Sequence, residues 1–151
     1  DVILHHSDFD NFKKFQDYDF ITSNMSLHWS CDFFNLMCRI VNSVKSGSII
    51  LISYPSFIEM DDLSQKKNDL INDFPDSNVL IKLIDKEKFV LKEKEMIFTE
   101  TFDSELEFLK SLKIIGANVS NKKKKKIFYL RRNLKKINVK YKVQIVYLRK
   151  I

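Results

Sequence analysis

Glycine and proline are nearly missing from this chain, with two of each in 151 residues. Gly47 and Gly116 are the only glycines, and neither opens a strand-loop-helix passage, so no glycine-rich loop for cradling a phosphate or cofactor can be read anywhere. Cysteine is equally scarce. Cys31 and Cys38 stand seven apart on an expected helix and can share a face, but a 1.5 Å rise per residue sets their Cα atoms roughly 10 Å apart. That distance excludes a disulfide. There is no CxxC and no close His/Cys cluster, which leaves metal binding unsupported. His5 and His6 are adjacent and on a strand would point to opposite faces, a poor geometry for joint ligation. Two free thiols fit a reducing, cytoplasmic compartment. No apolar run approaches the roughly 20 residues that span a bilayer, and the first residues do not read as a signal peptide. Acidic residues are missing altogether from Asn118 to the end.

What is present is a globular composition, 44% hydrophobic and 30% charged, with apolar side chains enough for a sizeable core. Charge is unevenly placed. Residues 1–75 carry 6 basic and 11 acidic side chains, a net of −5, while 76–151 carry 20 and 9, a net of +11. Lys122 to Lys126, Arg131, Arg132, Lys135 and Lys136 dominate the positive half and make an acidic partner an expectation. A solvated lysine loop in a composition rich in Lys, Asn, Ile and Phe is the simpler alternative.

The passage Tyr18-Asp19-Phe20-Ile21-Thr22-Ser23-Asn24-Met25-Ser26-Leu27-His28-Trp29 is the most informative. A short apolar strand ends there in small polar and aromatic residues, and it reads as the fourth strand of a nucleotide-type α/β sheet, with function expected from Ser23 to Trp29. Parallel strands are apolar because both faces are buried, and ligands sit just beyond their carboxyl ends, where the chain turns polar. A strand Asp1–His5 and a loop with Ser7-Asp8-Phe9-Asp10 are expected before it. After it comes a helix over Cys31–Val44, whose Phe33, Phe34, Met37, Ile40, Val41 and Val44 recur at spacings of three and four, with Asp32 near its start. Lys45-Ser46-Gly47 closes that helix and strand Ser48–Ser53 follows, giving a β-α-β unit.

Tyr54 to Asp73 is more polar and reads as a helical excursion. Phe74-Pro75-Asp76-Ser77 starts another helix, capped by Asp76 or Ser77. Lys88–Thr101 is expected as a strand. Asp103 is expected to cap a helix carrying Leu106, Leu109, Leu112 and Ile115, and Gly116 to stop it. A helix around Lys126–Lys136 and an edge-proximal strand Lys140–Arg149 complete a single domain without repeat or linker.

Asp8-Phe9, the Tyr18–Trp29 passage and Phe108-Leu109-Lys110-Ser111-Leu112-Lys113-Ile114-Ile115-Gly116-Ala117-Asn118 resemble the class I S-adenosylmethionine-dependent methyltransferases, specifically the malonyl-acyl-carrier-protein O-methyltransferases of biotin biosynthesis. The resemblance runs over nearly all of the chain and is weakest from Tyr54 to Asp73. It implies an α/β fold, the C-terminal portion of a Rossmann-like sheet with helices on both faces. It also implies S-adenosylmethionine as cofactor and a malonyl-carrying acyl carrier protein as partner. Methyl transfer to the free malonyl carboxyl would be the reaction, with no membrane partner. The family's N-terminal strand and glycine-rich cofactor loop have no counterpart, so a fragment is expected, beginning at Asp1 after roughly 80–100 residues that lie outside it.

By resemblance, Asp8 accepts a hydrogen bond from the adenine amino group, with the Phe9 backbone opposite the ring. Ser23, Asn24 and Met25 line the methionine and sulfonium side of the cofactor. Leu27, His28 and Trp29 face the transfer site, where His28 replaces the Gln often found. Other readings are a related branch that modifies a protein side chain in respiratory-complex assembly, an inactive methyltransferase remnant, and a basic nucleic-acid-binding module. The basic residues do not interleave with aromatics in the pattern of a nucleic-acid-binding motif, against the last, and the Ser111–Asn118 run favours the biotin branch.

Overall fold

The computed structural model describes residues 6–60, 74–114 and 136–151. The expected strand Asp1–His5, the Gly116 stop and all but the last residue of the expected helix around Lys126–Lys136 lie outside them. The chain divides into two compact units. Asp1–Ser56, Pro75–Met96 and Val143–Ile151 form the first, and Phe57–Phe74 with Ile97–Lys142 the second.

In the first unit, strand β1 (Phe20–Asn24) lies parallel to the start of β2 (Ile49–Met60), with Phe20 opposite Ile49 and Asn24 opposite Ser53. Helix α1 (Phe33–Ser43) joins them. The Asp32 carboxylate caps it by accepting the Asn35 N–H at 3.0 Å. Phe33, Leu36, Met37, Ile40 and Val41 fall on one face and are buried. The helix ends at a turn in which Gly47 carries φ +86°, a conformation that side-chain-bearing residues resist. Lys150 donates its ammonium to the carbonyls of Val41 at 3.4 Å and Val44 at 2.7 Å, satisfying acceptors that the helix end leaves open. Helix α2 (Ser77–Leu83) starts as expected, with Asp76 accepting the Asn78 N–H at 2.8 Å.

Strands β3 (Phe89–Phe102) and β4 (Ile137–Lys150) complete a four-stranded sheet in the order β1-β2-β4-β3. Backbone bonds of 2.9 Å from Lys150 to Ser48 and from Ile151 to Lys88 bring the end of β4 beside the starts of both neighbours, so β4 is antiparallel to each. The core of this unit joins the α1 face to Ile50, Ile52, Tyr54, Val146 and Leu148, with Leu80 and Ile84 of α2 and its C-cap. The other face of the sheet carries Phe20 (55% exposed), Leu51 and Val90 toward solvent.

In the second unit, helix α3 (Glu105–Ile114) packs Phe108 on Phe102, ring centroids 5.3 Å apart, with Ile58, Ile137 and Val139 around them. Lys140 pairs with Glu59 at 3.7 Å, and Thr101 donates to Asn138 at 2.8 Å.

The sequence expectations need two corrections. The segment from Tyr54 to Met60 is strand, not helix: Tyr54 and Ile58 are buried, and sheet pairing outweighs the polar local composition. Ser104, not Asp103, caps α3, its hydroxyl accepting the Glu107 N–H at 3.2 Å while the Glu107 carboxylate accepts the Asp103 N–H at 2.7 Å. Strand β4 stands next to the edge strand β3, as expected, and its polar Gln144 tolerates burial there by donating to the Glu93 carboxylate on β3 at 3.2 Å. Among the described residues no helix is long and apolar enough to cross a membrane, and no group of three or more His, Cys, Asp or Glu is placed to hold a metal ion.

Candidate functional site

The carboxyl ends of the two parallel strands meet at Asn24 and Ser53. There the chain leaves β1 through Met25, a non-glycine residue at φ +51°. Such a left-handed residue costs about 1–2 kcal/mol, and three contacts hold it. The Met25 N–H reaches the Ser53 carbonyl at 3.0 Å and the Ser53 hydroxyl at 3.2 Å, and that hydroxyl donates to the Asn24 side-chain carbonyl at 2.6 Å. The next turn is tied by Ser23, whose hydroxyl bonds Ser26 at 2.8 Å and accepts the Leu27 N–H at 3.3 Å. Leu27–Trp29 then forms one 3-10 turn leading into α1.

A second segment reaches the same place. Phe9–Asn11 is a 3-10 turn capped by Asp8, whose carboxylate accepts the Asp10 N–H at 2.9 Å. Asp10 accepts the Ser30 hydroxyl and the Cys31 N–H at 2.8 Å, tying this turn to the residues just after Trp29. Burial alone would raise the Asp10 pKa. The Ser30 and Cys31 hydrogen bonds, helped by the positive charge of Arg39, outweigh it and hold the carboxyl below its ordinary value. Arg39 itself donates to the Phe12 carbonyl at 3.2 Å. The Cys31 thiol is exposed and pushed up, first by its hydrogen bond with Asp10 and then by the negative charge of that group.

His28 lies against Trp29, ring centroids 4.6 Å apart, and burial lowers its pKa to about 4. The ring is therefore neutral at physiological pH. Trp29 and Met25 are each near 40% exposed, at 38% and 41%, and present apolar surface to solvent.

The structure thus brings Asp8 and Phe9 to the Leu27, His28 and Trp29 turn through Asp10, and places Ser23, Asn24 and Met25 at the end of β1. A cleft of about 330 Å³ opens beside them, with Thr22, Asn24 and Ser53 as its polar rim and Leu51, Val143, Ile145 and Met96 as apolar wall. Sequence reasoning missed Ser53, Asp10 and Ser30, which fix the geometry. Asp10 stood within the noted loop, but its partners lie 20 and 21 residues away and leave no local pattern.

The residues fit the expected cofactor. The second oxygen of Asp8 has no partner among the described residues and is suited to an amino group, and Asn24 retains its amide donors. No family model matches the chain. It is 30% identical over 104 residues to malonyl-[acyl-carrier protein] O-methyltransferase 2 of Coxiella burnetii, a match over 66% of this chain and 40% of that protein. The chain therefore spans well under half the length of this curated relative. In fold it is similar to a protein from Bacillus halodurans C-125 provisionally assigned as a methyltransferase, with a TM-score of 0.57, 12% identity, and coverage of 95% of this chain and 75% of that one. A Galdieria sulphuraria protein, provisionally a sarcosine dimethylglycine methyltransferase, is more distant at a TM-score of 0.39, 16% identity, and coverage of 92% and 57%. By fold the chain is thus an α/β protein similar to a Rossmann-like methyltransferase structure, and over part of its length its sequence is similar to a methyltransferase, a likeness that points to S-adenosylmethionine as cofactor.

Proposed function

We propose that the protein of which this chain is part transfers a methyl group from S-adenosylmethionine to the free carboxyl of malonyl-acyl-carrier protein. The observation that carries the reading is the polar, held turn at the carboxyl ends of a parallel strand pair, in a sequence that matches a methyltransferase of that specificity. Asp8 and Phe9 serve the adenine end of the cofactor, Ser23, Asn24 and Met25 its methionine end, and Leu27, His28 and Trp29 the acceptor.

The chemistry asks little of side chains. A malonyl carboxylate is anionic at neutral pH, so one of its oxygens attacks the methyl carbon while the carbon-sulfur bond breaks and its electron pair stays on sulfur. No proton moves. The two opposite charges cancel along the way, and a water-poor pocket favours that step. Alignment is the remaining requirement, and it is what the Ser23, Ser53 and Asp10 hydrogen bonds provide. The neutral His28 ring and the Trp29 face can exclude water without offering a competing charge. The positive half of the chain suits the acidic surface of an acyl carrier protein, giving speed and orientation of encounter.

The test is transfer of labelled methyl from S-adenosylmethionine by the full-length protein, with malonyl-acyl-carrier protein, free malonate and a protein extract as acceptors. Label on the malonyl carrier, released by mild base as an ester, is the expected result. Label on protein side chains alone would move the protein to a different branch.

A further inference from the structure

We infer that the run Lys92-Glu93-Lys94-Glu95 guards the free edge of β3 against pairing with a second copy of this chain. Among the described residues β3 is the last strand of the sheet, bonded on one side to β4. It is 14 residues long, and an edge of that length offers a row of unpaired backbone donors and acceptors to any other strand. The run is flanked by Phe89-Val90-Leu91 and Met96-Ile97-Phe98, apolar triplets of high strand propensity in which Val90, Ile97 and Phe98 are exposed. The triplets by themselves invite a neighbouring strand, and the four charges between them decide which neighbour is refused.

Two copies joined edge to edge form a continuous antiparallel sheet about a two-fold axis perpendicular to it. That axis keeps each face on its own side, so a residue stands opposite itself or a residue an even number of positions away. Side chains alternate along β3: Glu93 and Glu95 lie on the face where Glu93 accepts from Gln144 at 3.2 Å, and Lys92 and Lys94 on the other. With the axis at Glu93, Lys92 of each copy faces Lys94 of the other, and Glu93 faces itself. With the axis at Lys94, Glu93 of each copy faces Glu95 of the other, and Lys94 faces itself. These are the two registers that bring one apolar triplet onto the other, and in both like charges meet at the centre, which opposes pairing. The pairing that would match Lys92 with Glu95 and Glu93 with Lys94 needs an axis between Glu93 and Lys94. It would set opposed side chains on opposite faces, and the pleat forbids it.

The experiment follows self-association of the full-length protein by sedimentation velocity over a concentration series, with thermal unfolding of each form. The double exchange Lys94→Glu with Glu95→Lys leaves composition and net charge unaltered, yet in either register it turns the two off-axis like-charge pairs into opposite-charge pairs. Its association constant is expected to exceed that of wild type by about tenfold, and added salt to weaken the association. Inverting the whole run, Lys92→Glu, Glu93→Lys, Lys94→Glu and Glu95→Lys, sets like against like again and is expected to return association to the wild-type level. Lys92→Glu alone leaves Glu93 and Glu95 untouched, relieves only the register centred on Glu93, and is expected to fall between. Association of the folded double exchange no stronger than wild type, or equal association of the double exchange and the full inversion, overturns the inference. If the double exchange unfolds, Lys92→Glu decides, and association no stronger than wild type overturns the inference there too.

Discussion

His28 gives the sharpest quantitative expectation. Burial beside Trp29 lowers its pKa from 6.5 to about 4, so the folded protein holds the ring neutral where the unfolded chain protonates it. Between pH 6.5 and 4 the unfolded state binds more protons, and stability must fall as pH falls through that window. The stabilisation is fully present above pH 6.5. At about 1.4 kcal/mol per pH unit the gap sets a ceiling of about 3 kcal/mol, and the part of the ring that stays hydrated brings the expectation to about 1–2 kcal/mol. Urea unfolding at pH 7.5 and pH 4.5 measures it, in wild type and in His28→Gln, which keeps a neutral polar side chain that cannot titrate. The carboxylates contribute alike to both proteins and drop out of the comparison. Wild type should lose about 1–2 kcal/mol more than the variant on acidification. Equal losses in the two, or an imidazole that titrates near 6.5 by NMR, would refute the claim that the folded site excludes the charged ring. The functional corollary is that His28 does not act as a cation toward an anionic acceptor at neutral pH.

Three further outcomes are expected. Asp10→Asn should make the Cys31 thiol more acidic, because the hydrogen bond and charge that push it up are weakened; alkylation rate against pH in a Cys38→Ser background reads this, and an unchanged profile would contradict the Asp10-Cys31 contact. Lys150→Met leaves the Val41 and Val44 carbonyls without their donor and should cost about 1–2 kcal/mol in urea unfolding, with the methylene stem retained so that packing is not the cause. Met37→Ala removes a fully buried side chain from the α1 face and should cost about 2–5 kcal/mol, whereas a loss below 1 kcal/mol would place that face outside the core.

The fold was legible wherever one local rule governed. Helix α1 announced itself by apolar spacing and Asp32, α2 by Asp76, and β3 by length and alternation. The end of β2 was not legible, since Ile58 is strand only because Phe102, Phe108 and Val139 cover it, and none of these is near in sequence. The burial of Gln144 on β4 was hidden for the same reason: it looks like a solvent-facing residue until Glu93 is found beside it. At the site, the residues at the end of β1 could be named from the strand pattern and the resemblance. The partners that aim them could not, because Ser53 is 29 residues from Asn24 and Ser30 is 20 from Asp10.

That division sorts the site by role. Ser23, Ser26, Ser53, Asp10 and Ser30 direct their hydrogen bonds into the protein and fix where the backbone turns. Among the described residues, one oxygen of Asp8 is without a hydrogen-bond partner, and Met25 and Trp29 present exposed surface. His28 is held neutral far below pH 7, and Asp10 is held charged by its donors. Hydrolysis of an ester or amide would need a group able to take and return a proton. Transfer of a methyl group from a sulfonium to a carboxylate needs no such group, only two reactants in line and little water between them. The protonation states of His28 and Asp10 are therefore compatible with a reaction that proceeds without a proton relay, and methyl transfer to a carboxylate is one such reaction.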